Sequence, residues 1–527
     1  MNTTTILMTS RILQSKLCRI AGCVVLVIAV TLWLNSRFGA DRRWEETKAA
    51  LAKEGESTDW RSLLSDPPPD EVNFCAIEEL RGITQIINGN RDLGEPGAKR
   101  KALEGMRIPF DSKVRSEVPS TGSGLERGLF VSAEAWSKHL EAVKFITLPA
   151  DSEHSPSELL SALDRKFPLL SKLAERAPRF QRAVFLPSRK QLGVTPGFDT
   201  NLVPHLNSVM HLVKMLYVRA KAAIESGDAK EGANSVLAMM RLNNGLNSES
   251  SMLPLLVAVT CSCYVQGVVW DALHGHHLRE PELAMLQMEL EAQNMEQPLL
   301  NALRGELTTS VASLDQCLVS DSAWESMRTF FVDGPEWLSQ LRMTPRLLTE
   351  WKADFSGAFF HHAIKPLKAA GLKGCMEAQA KFLKSLPSMD RPILDDAHLF
   401  TRLAMPAYDT IIRQTLFIEA RNRLTVAALA VERYSLARGG LPKSLEELKP
   451  GFLDELPVDP MSGSAVRYRV GPTGGAVIWS VGIDGKDDGG VVPFIPDPAR
   501  PMRTPNYDRD DYLGDWVWQY EPLFGTQ

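Results

Sequence analysis

Fifteen consecutive residues without a charge, Ile20–Leu34 (IAGCVVLVIAVTLWL), follow Arg11, Lys16 and Arg19 near the start of the chain. A helix made of such residues is apolar all round, so it has to be covered by lipid or by a protein core. The run is shorter than the roughly 20 residues that cross a hydrocarbon layer. Asn35 and Ser36 lengthen it, Arg19 can snorkel, and Trp33 sits where interfacial aromatics belong. Cleavage after Ala40 would place Phe38 at −3, and cleavage after Ser36 would place Leu34 there, neither of them small. The segment therefore reads as an uncleaved signal-anchor, with a cleaved signal peptide as the alternative. Arg37, Arg42 and Arg43 follow it, so the flanking bases tie. The short N-terminal tail reads as cytoplasmic, which makes the protein single-pass in the cytoplasmic membrane with its C-terminal bulk extracytoplasmic.

A second charge-free run, Met252–Trp270, is long enough to span. It contains Pro254, Thr260, Cys261, Ser262, Cys263 and Gln266 and runs directly into Asp271. These features predict a buried helix of a large helical domain. Apolar residues make up 44% of the chain and charged residues 23%, the values of folded protein. The net charge is −5, so no basic face points to nucleic acid. Nine acids and four bases lie from Gly482 onward, which places the whole imbalance in the C-terminal tail. The seven cysteines, including Cys261-x-Cys263, lack the spacing of a disulfide framework or a zinc site.

The expected fold is mainly α: an N-terminal membrane helix, a multi-helix extracytoplasmic body and a small C-terminal α+β module built on a β-hairpin. The expected divisions are 1–36 for tail and anchor, 37–77 for a polar helix and proline-rich connector, 78–407 for the helical body, and 408–527 for a long helix, the hairpin module and a docked tail. Pro67-Pro68-Pro69 ends the polar helix over 41–65, and Asp66–Ile77 reads as extended. Apolar spacing from Leu212 to Ile224, a Ser226-Gly227-Asp228 break and a second stripe through Ala233, Val236, Leu237 and Met240 predict a tetratricopeptide-like helix pair. Further helices are expected over 280–292, 298–319, 369–386 and 408–438. Ser444 and Glu447 have the spacing of a capping box. AVRYRV at 465–470 and AVIWSV at 476–481 flank a Gly-Pro-Thr-Gly-Gly turn and predict two paired strands. The terminal aromatic residues Tyr512, Trp516, Trp518, Tyr520 and Phe524 are expected to dock the tail.

No motif names a reaction. His274, His276 and His277 stand at a helix end without a carboxylate or cysteine at ligand spacing, and His361-His362 point to different faces. The strongest site signal is Asp484, Asp487 and Asp488 among Gly482, Gly485, Gly489 and Gly490. Calcium takes six to eight oxygen ligands, and glycines let carbonyls turn inward. The alternative is an acidic turn that needs no ion.

Leu456-Pro457-Val458-Asp459-Pro460, Arg467-Tyr468 and Ser480-Val481-Gly482-Ile483-Asp484-Gly485 resemble the tail of the major pseudopilins of type II secretion. That resemblance implies a D-P turn, a hairpin and an S-x-G-x-D-G loop holding calcium, with Asp484 a ligand. The similarity of Gly514-Asp515-Trp516 to the pseudopilin end implies Asp515 as a further ligand. Together with Asn73-Phe74, Ala302–Glu306, Leu429–Tyr434 and Asp487–Gly490, the chain resembles a set of bacterial membrane-anchored proteins for which no activity is established. The resemblance implies no activity; the expected role is an envelope protein with a structural or binding function, its partners the membrane and a second envelope protein. An enzyme whose site is assembled only by the fold is the alternative.

Overall fold

The computed structural model describes residues 38–63, 68–83, 105–107, 130–185, 205–329, 344–386, 397–471, 474–491 and 514–519. The apolar segment Ile20–Leu34 lies outside the described residues. So do Tyr512, Tyr520 and Phe524 of the aromatic tail.

The chain is mainly helical, with a small antiparallel sheet near the C-terminus. Helix α1 covers 38–53. It stops twelve residues before its expected end because Gly55, at φ +79°, turns the chain and lets the Glu56 amide reach the Leu51 carbonyl at 3.0 Å. The connector is not extended. It folds into two single 3₁₀ turns at Asp70–Val72 and Phe74–Ala76, and a third follows it at Glu78–Leu80. Asn73 explains this: its Oδ1 accepts the amides of Cys75 and Val184, and its Nδ2 donates to the Val184 carbonyl. The fully buried Phe74 is thereby held against a segment more than one hundred residues away.

Helices α2 (Ala133–Ala142), α3 (Pro156–Lys166) and α4 (Pro168–Arg176) pack on the expected helix pair, α5 (Leu206–Glu225) and α6 (Ala229–Asn247). Asp228 caps α6 by accepting the Glu231 amide. Helix α7 (Met252–His274) is the second charge-free run, and 72% of its most apolar window is buried. It packs against α5 and α6, α9 (Glu296–Cys317) and α13 (Leu399–Arg438), so core contacts cover its circumference and the buried-helix expectation holds. Helices α8 (Glu280–Glu291), α10 (Asp321–Thr329), α11 (Pro345–Phe359) and α12 (Lys365–Ser385) complete the body. A π-turn, Phe360–Ile364, joins the last two. Helix α13 starts nine residues before its expected beginning and contains Pro406.

Two large cores result, and two helices tie them together. Met252, Leu255 and Val259 of α7 share one core with Ile412 and Leu416 of α13. Val265 to Leu273 of α7 share the other with Leu424 to Val431. The expected hairpin is present as β1 (Arg467–Val470) and β2 (Ala476–Ser480). The tail docks as a third strand, β3 (Trp516–Gln519), beside β2, which the sequence did not signal as a strand. Trp518 joins one core and Trp516 the other. The capping box at Ser444 is not formed. The Ser444 hydroxyl bonds Glu446, and Glu447 accepts the Tyr434 hydroxyl instead.

Candidate functional site

The acidic loop follows β2 directly, and its geometry starts from Asp459 in the D-P turn. Asp459 is 1% exposed; its Oδ1 accepts the Ser480 hydroxyl at 2.7 Å and the Met461 amide, and its Oδ2 accepts the Val481 amide. This carboxylate pins the end of β2 to the turn, which gives the serine of the S-x-G-x-D-G sequence a purpose. Gly482, at φ +64°, then passes so close to the tail that a Cβ there would lie 1.9 Å from the Gly514 carbonyl oxygen. Only glycine fits this crossing.

Beyond Gly482, Asp487 and Asp488 lie near enough to Asp515 for their charges to add to burial in raising its carboxyl, while Asp484 turns to a separate groove. Asp484 closes a local turn by accepting the Lys486 amide, and it lines a groove of about 440 Å³ with Lys381, Lys384 and Arg413. Asp487 accepts the Trp479 indole N–H at 2.9 Å and the Arg467 guanidinium at 3.1 Å, and the indole bond first of all holds its carboxyl below the ordinary range. Asp488 is exposed. Asp515 is fully buried and accepts the Gly490 amide at 2.7 Å; burial pushes its carboxyl up to about 6. Among the described residues no three His, Cys, Asp or Glu side chains are grouped as a metal would require. Hydrogen bonds and one ion pair already engage the carboxylates of the loop, and calcium would have to draw Asp487 away from Arg467 and Trp479. The melting temperature of the full chain is therefore expected to be the same in millimolar calcium and in chelator. A rise that Asp484→Ala abolishes would establish the calcium site, because a ligand bound only by the folded state stabilises it by mass action.

The densest polar chemistry lies inside the body and was not anticipated. Lys221 of α5 is 1% exposed and donates to Asp271 Oδ2 of α7 at 2.6 Å, with Glu225 Oε1 at 3.7 Å. The Tyr217 hydroxyl reaches the same Asp271 oxygen at 3.4 Å, and the Phe130 ring lies 4.7 Å from the ammonium. Glu225 also accepts the Ala133 amide with both oxygens, which caps the first turn of α2. Burial raises the carboxyls of Asp271 and Glu225 and the phenol of Tyr217, while Lys221 opposes the shift at both carboxyls. One cation thus faces two carboxylates where three helices meet. A neighbouring network joins Arg219 of α5 to Asp164 of α3 and to Ser235 and Glu231 of α6. A sequence signal existed: Arg219 and Lys221 interrupt the apolar stretch of α5, and Asp271 ends the apolar run of α7.

A cleft of about 520 Å³ opens between α8, α9, α12, α13 and the segment 454–460. Helix α12 breaks there at Ala370 and Gly371, the latter at φ +66° with the Glu296 carboxylate over its α-carbon. Glu291, Glu296, Glu419, Asp454 and Glu455 line it against Lys373 and Arg423. The histidines of the sequence are spent elsewhere. His276 pairs with Glu432, His274 stacks on Phe130, and His362 stacks on Phe382. No protein family, curated protein or solved structure matches the chain.

Proposed function

We propose that the chain is a single-pass, membrane-anchored envelope protein whose helical body is a binding scaffold for a protein partner. The observation that carries this reading is the attachment of α1, the helix that begins four residues after the apolar segment. Arg43 pairs with Glu350 of α11. Beyond the C-terminal end of α1, Glu56 takes both Arg304 of α9, at 2.8 Å to each oxygen, and Lys368 of α12. Helix α1 is thereby tied to the body near both of its ends, so an anchor that precedes it by four residues is joined to the body itself. The acidic cleft supports the partner assignment, since five carboxylates against two cations suit a basic segment of another protein.

Two measurements test it. The mature protein should keep an N-terminus upstream of residue 20 and leave the membrane only in detergent; a new N-terminus near Arg37 or Asp41 would remove the anchor. A benzophenone amino acid at position 458, which is 52% exposed in the cleft, should crosslink one discrete partner in native membranes. Glu296→Lys combined with Glu455→Lys should abolish the adduct, and an unchanged adduct would rule the cleft out. A membrane-bound enzyme is the second reading, and the convergence of Lys221, Asp271, Glu225 and Tyr217 inside the body is the observation that favours it.

A further inference from the structure

The inference concerns how the anchored body meets the bilayer, and it rests on the anchor reading above. Four Cα steps separate Leu34 from Phe38, so the first turn of α1 lies within about 14 Å of the end of the apolar segment however the chain runs. The polar layer of one leaflet is itself roughly 5–8 Å deep. Whatever surrounds the first turn of α1 is therefore held in the headgroup layer or within about 9 Å of it.

Those surroundings are defined by the packing of α1. Trp44 forms a small core with Val311 of α9 and Ala353 of α11, whereas Glu56, past the far end of α1, meets Arg304. Helix α9 consequently runs antiparallel to α1, and its C-terminal end returns to the level of Phe38. That end carries apolar side chains in the open: Val319 is 85% exposed, Leu318 37%, and Phe38 itself 67%. Beside them lies a groove of about 430 Å³ whose walls carry Trp44, Trp60, Val311 and Val319 together with two cations, Lys48 and Arg61, and two carboxylates, Asp59 and Asp315. The Arg61 guanidinium stacks 4.8 Å from the Trp60 ring, and the Lys48 ammonium sits 5.4 Å from Trp44. Indole rings and aliphatic residues at the rim are side chains that settle at a membrane–water interface. Lys48 and Arg61 also pair with Glu45 and Asp59, exposed ion pairs that a lipid phosphate can exchange at little cost. The outer face of α1 is different: Arg42, Glu45 and Glu46 are well exposed there, and Arg42 and Glu46 pair with each other. That charged face is left to water, so the part α1 offers to the interface is its first turn, at Phe38.

We propose that this end of the body, formed by the first turn of α1, the last turn of α9 and the Trp44–Trp60 groove, rests in the headgroup layer of the bilayer that residues 20–34 enter, with the groove taking phospholipid. The opposite end, with the β-sheet module along α13, then faces away from the membrane.

The full-length protein in vesicles of phosphatidylethanolamine and phosphatidylglycerol tests this. A benzophenone amino acid is placed at position 319 and, as control, at position 436, an exposed leucine of α13 distant from α1. Irradiation should give a phospholipid adduct at 319 several-fold above that at 436, and Trp60→Ala should reduce it. Equal adducts at the two positions, in protein that co-sediments with the vesicles and resists carbonate, would overturn the docking while leaving the anchor intact. Protein that fails to co-sediment would overturn the anchor and the docking together.

Discussion

Lys221→Met is expected to cost about 3–5 kcal/mol of folding stability, the range found when one partner of a buried ion pair is removed. Methionine fills nearly the same volume, so the loss is electrostatic. Asp271 and Glu225 stay behind in the junction of α2, α5 and α7 without their cation. The pH dependence carries the signature. Both carboxyls are already raised by burial in the folded protein, and losing Lys221 raises them further. A carboxyl with a raised folded pKa contributes stability that is complete below its unfolded value, near 4, and is lost as pH rises through the folded value. The deficit of the variant should therefore be largest at neutral pH and shrink as pH falls toward 4, when the two carboxyls are protonated and uncharged. Urea denaturation at several pH values reads it. Adding Asp271→Asn should return part of the loss, because it removes one stranded charge; a double-mutant cycle gives the coupling. A deficit below about 1 kcal/mol that does not change with pH would show that water reaches the carboxylates.

Asp459→Ala is expected to cost a similar amount, about 3–5 kcal/mol, for a different reason. Three buried donors, the Ser480 hydroxyl and the amides of Met461 and Val481, lose their acceptor together. Each stranded donor costs roughly 1–3 kcal/mol, less whatever water recovers. Asp459→Asn keeps an acceptor for Ser480 and Met461 but turns an N–H₂ group toward the Val481 amide, so an intermediate loss is expected. Because Val481 leads into the loop crossed by β3, the alanine variant should also expose the chain near residues 482–490 to limited proteolysis, with Trp516 and Trp518 released from the cores. A variant cut no faster than wild type would show that Gly482 and the strand pairing suffice to hold the tail.

The C-terminal loop shows where reading residues along the chain succeeds and stops. Alternation in AVRYRV and AVIWSV, with glycines between, is a local property, and the hairpin forms where it predicts. Asp484, Asp487 and Asp488 looked like one oxygen cluster because they are close in sequence. Where each carboxylate points depends on groups elsewhere: Arg467 and Trp479 take Asp487, and Lys381, Lys384 and Arg413 line the groove with Asp484. Asp515 is engaged only because a third strand brings it beneath Gly490. The extended connector failed in the same way, since a single residue, Asn73, binds a partner at Val184 that no window of sequence contains.

Legible along the chain are the properties that neighbouring residues decide among themselves: the helical body, the α5–α6 hairpin turned at Gly227, the paired strands, and α7 as a core helix interrupted by polar groups. Hydrophobic periodicity, caps and turn residues act over a few residues, so they are present in the chain before it folds. Only the tertiary structure decided which charges meet. Lys221 and Asp271 are fifty residues apart, Glu56 and Arg304 nearly two hundred and fifty. Coulomb attraction strengthens as water is excluded, and water is excluded only where packing brings distant helices together. The buried ion-pair cluster and the clamp on α1 therefore belong to the assembled cores, and no segment of the chain carries either of them alone.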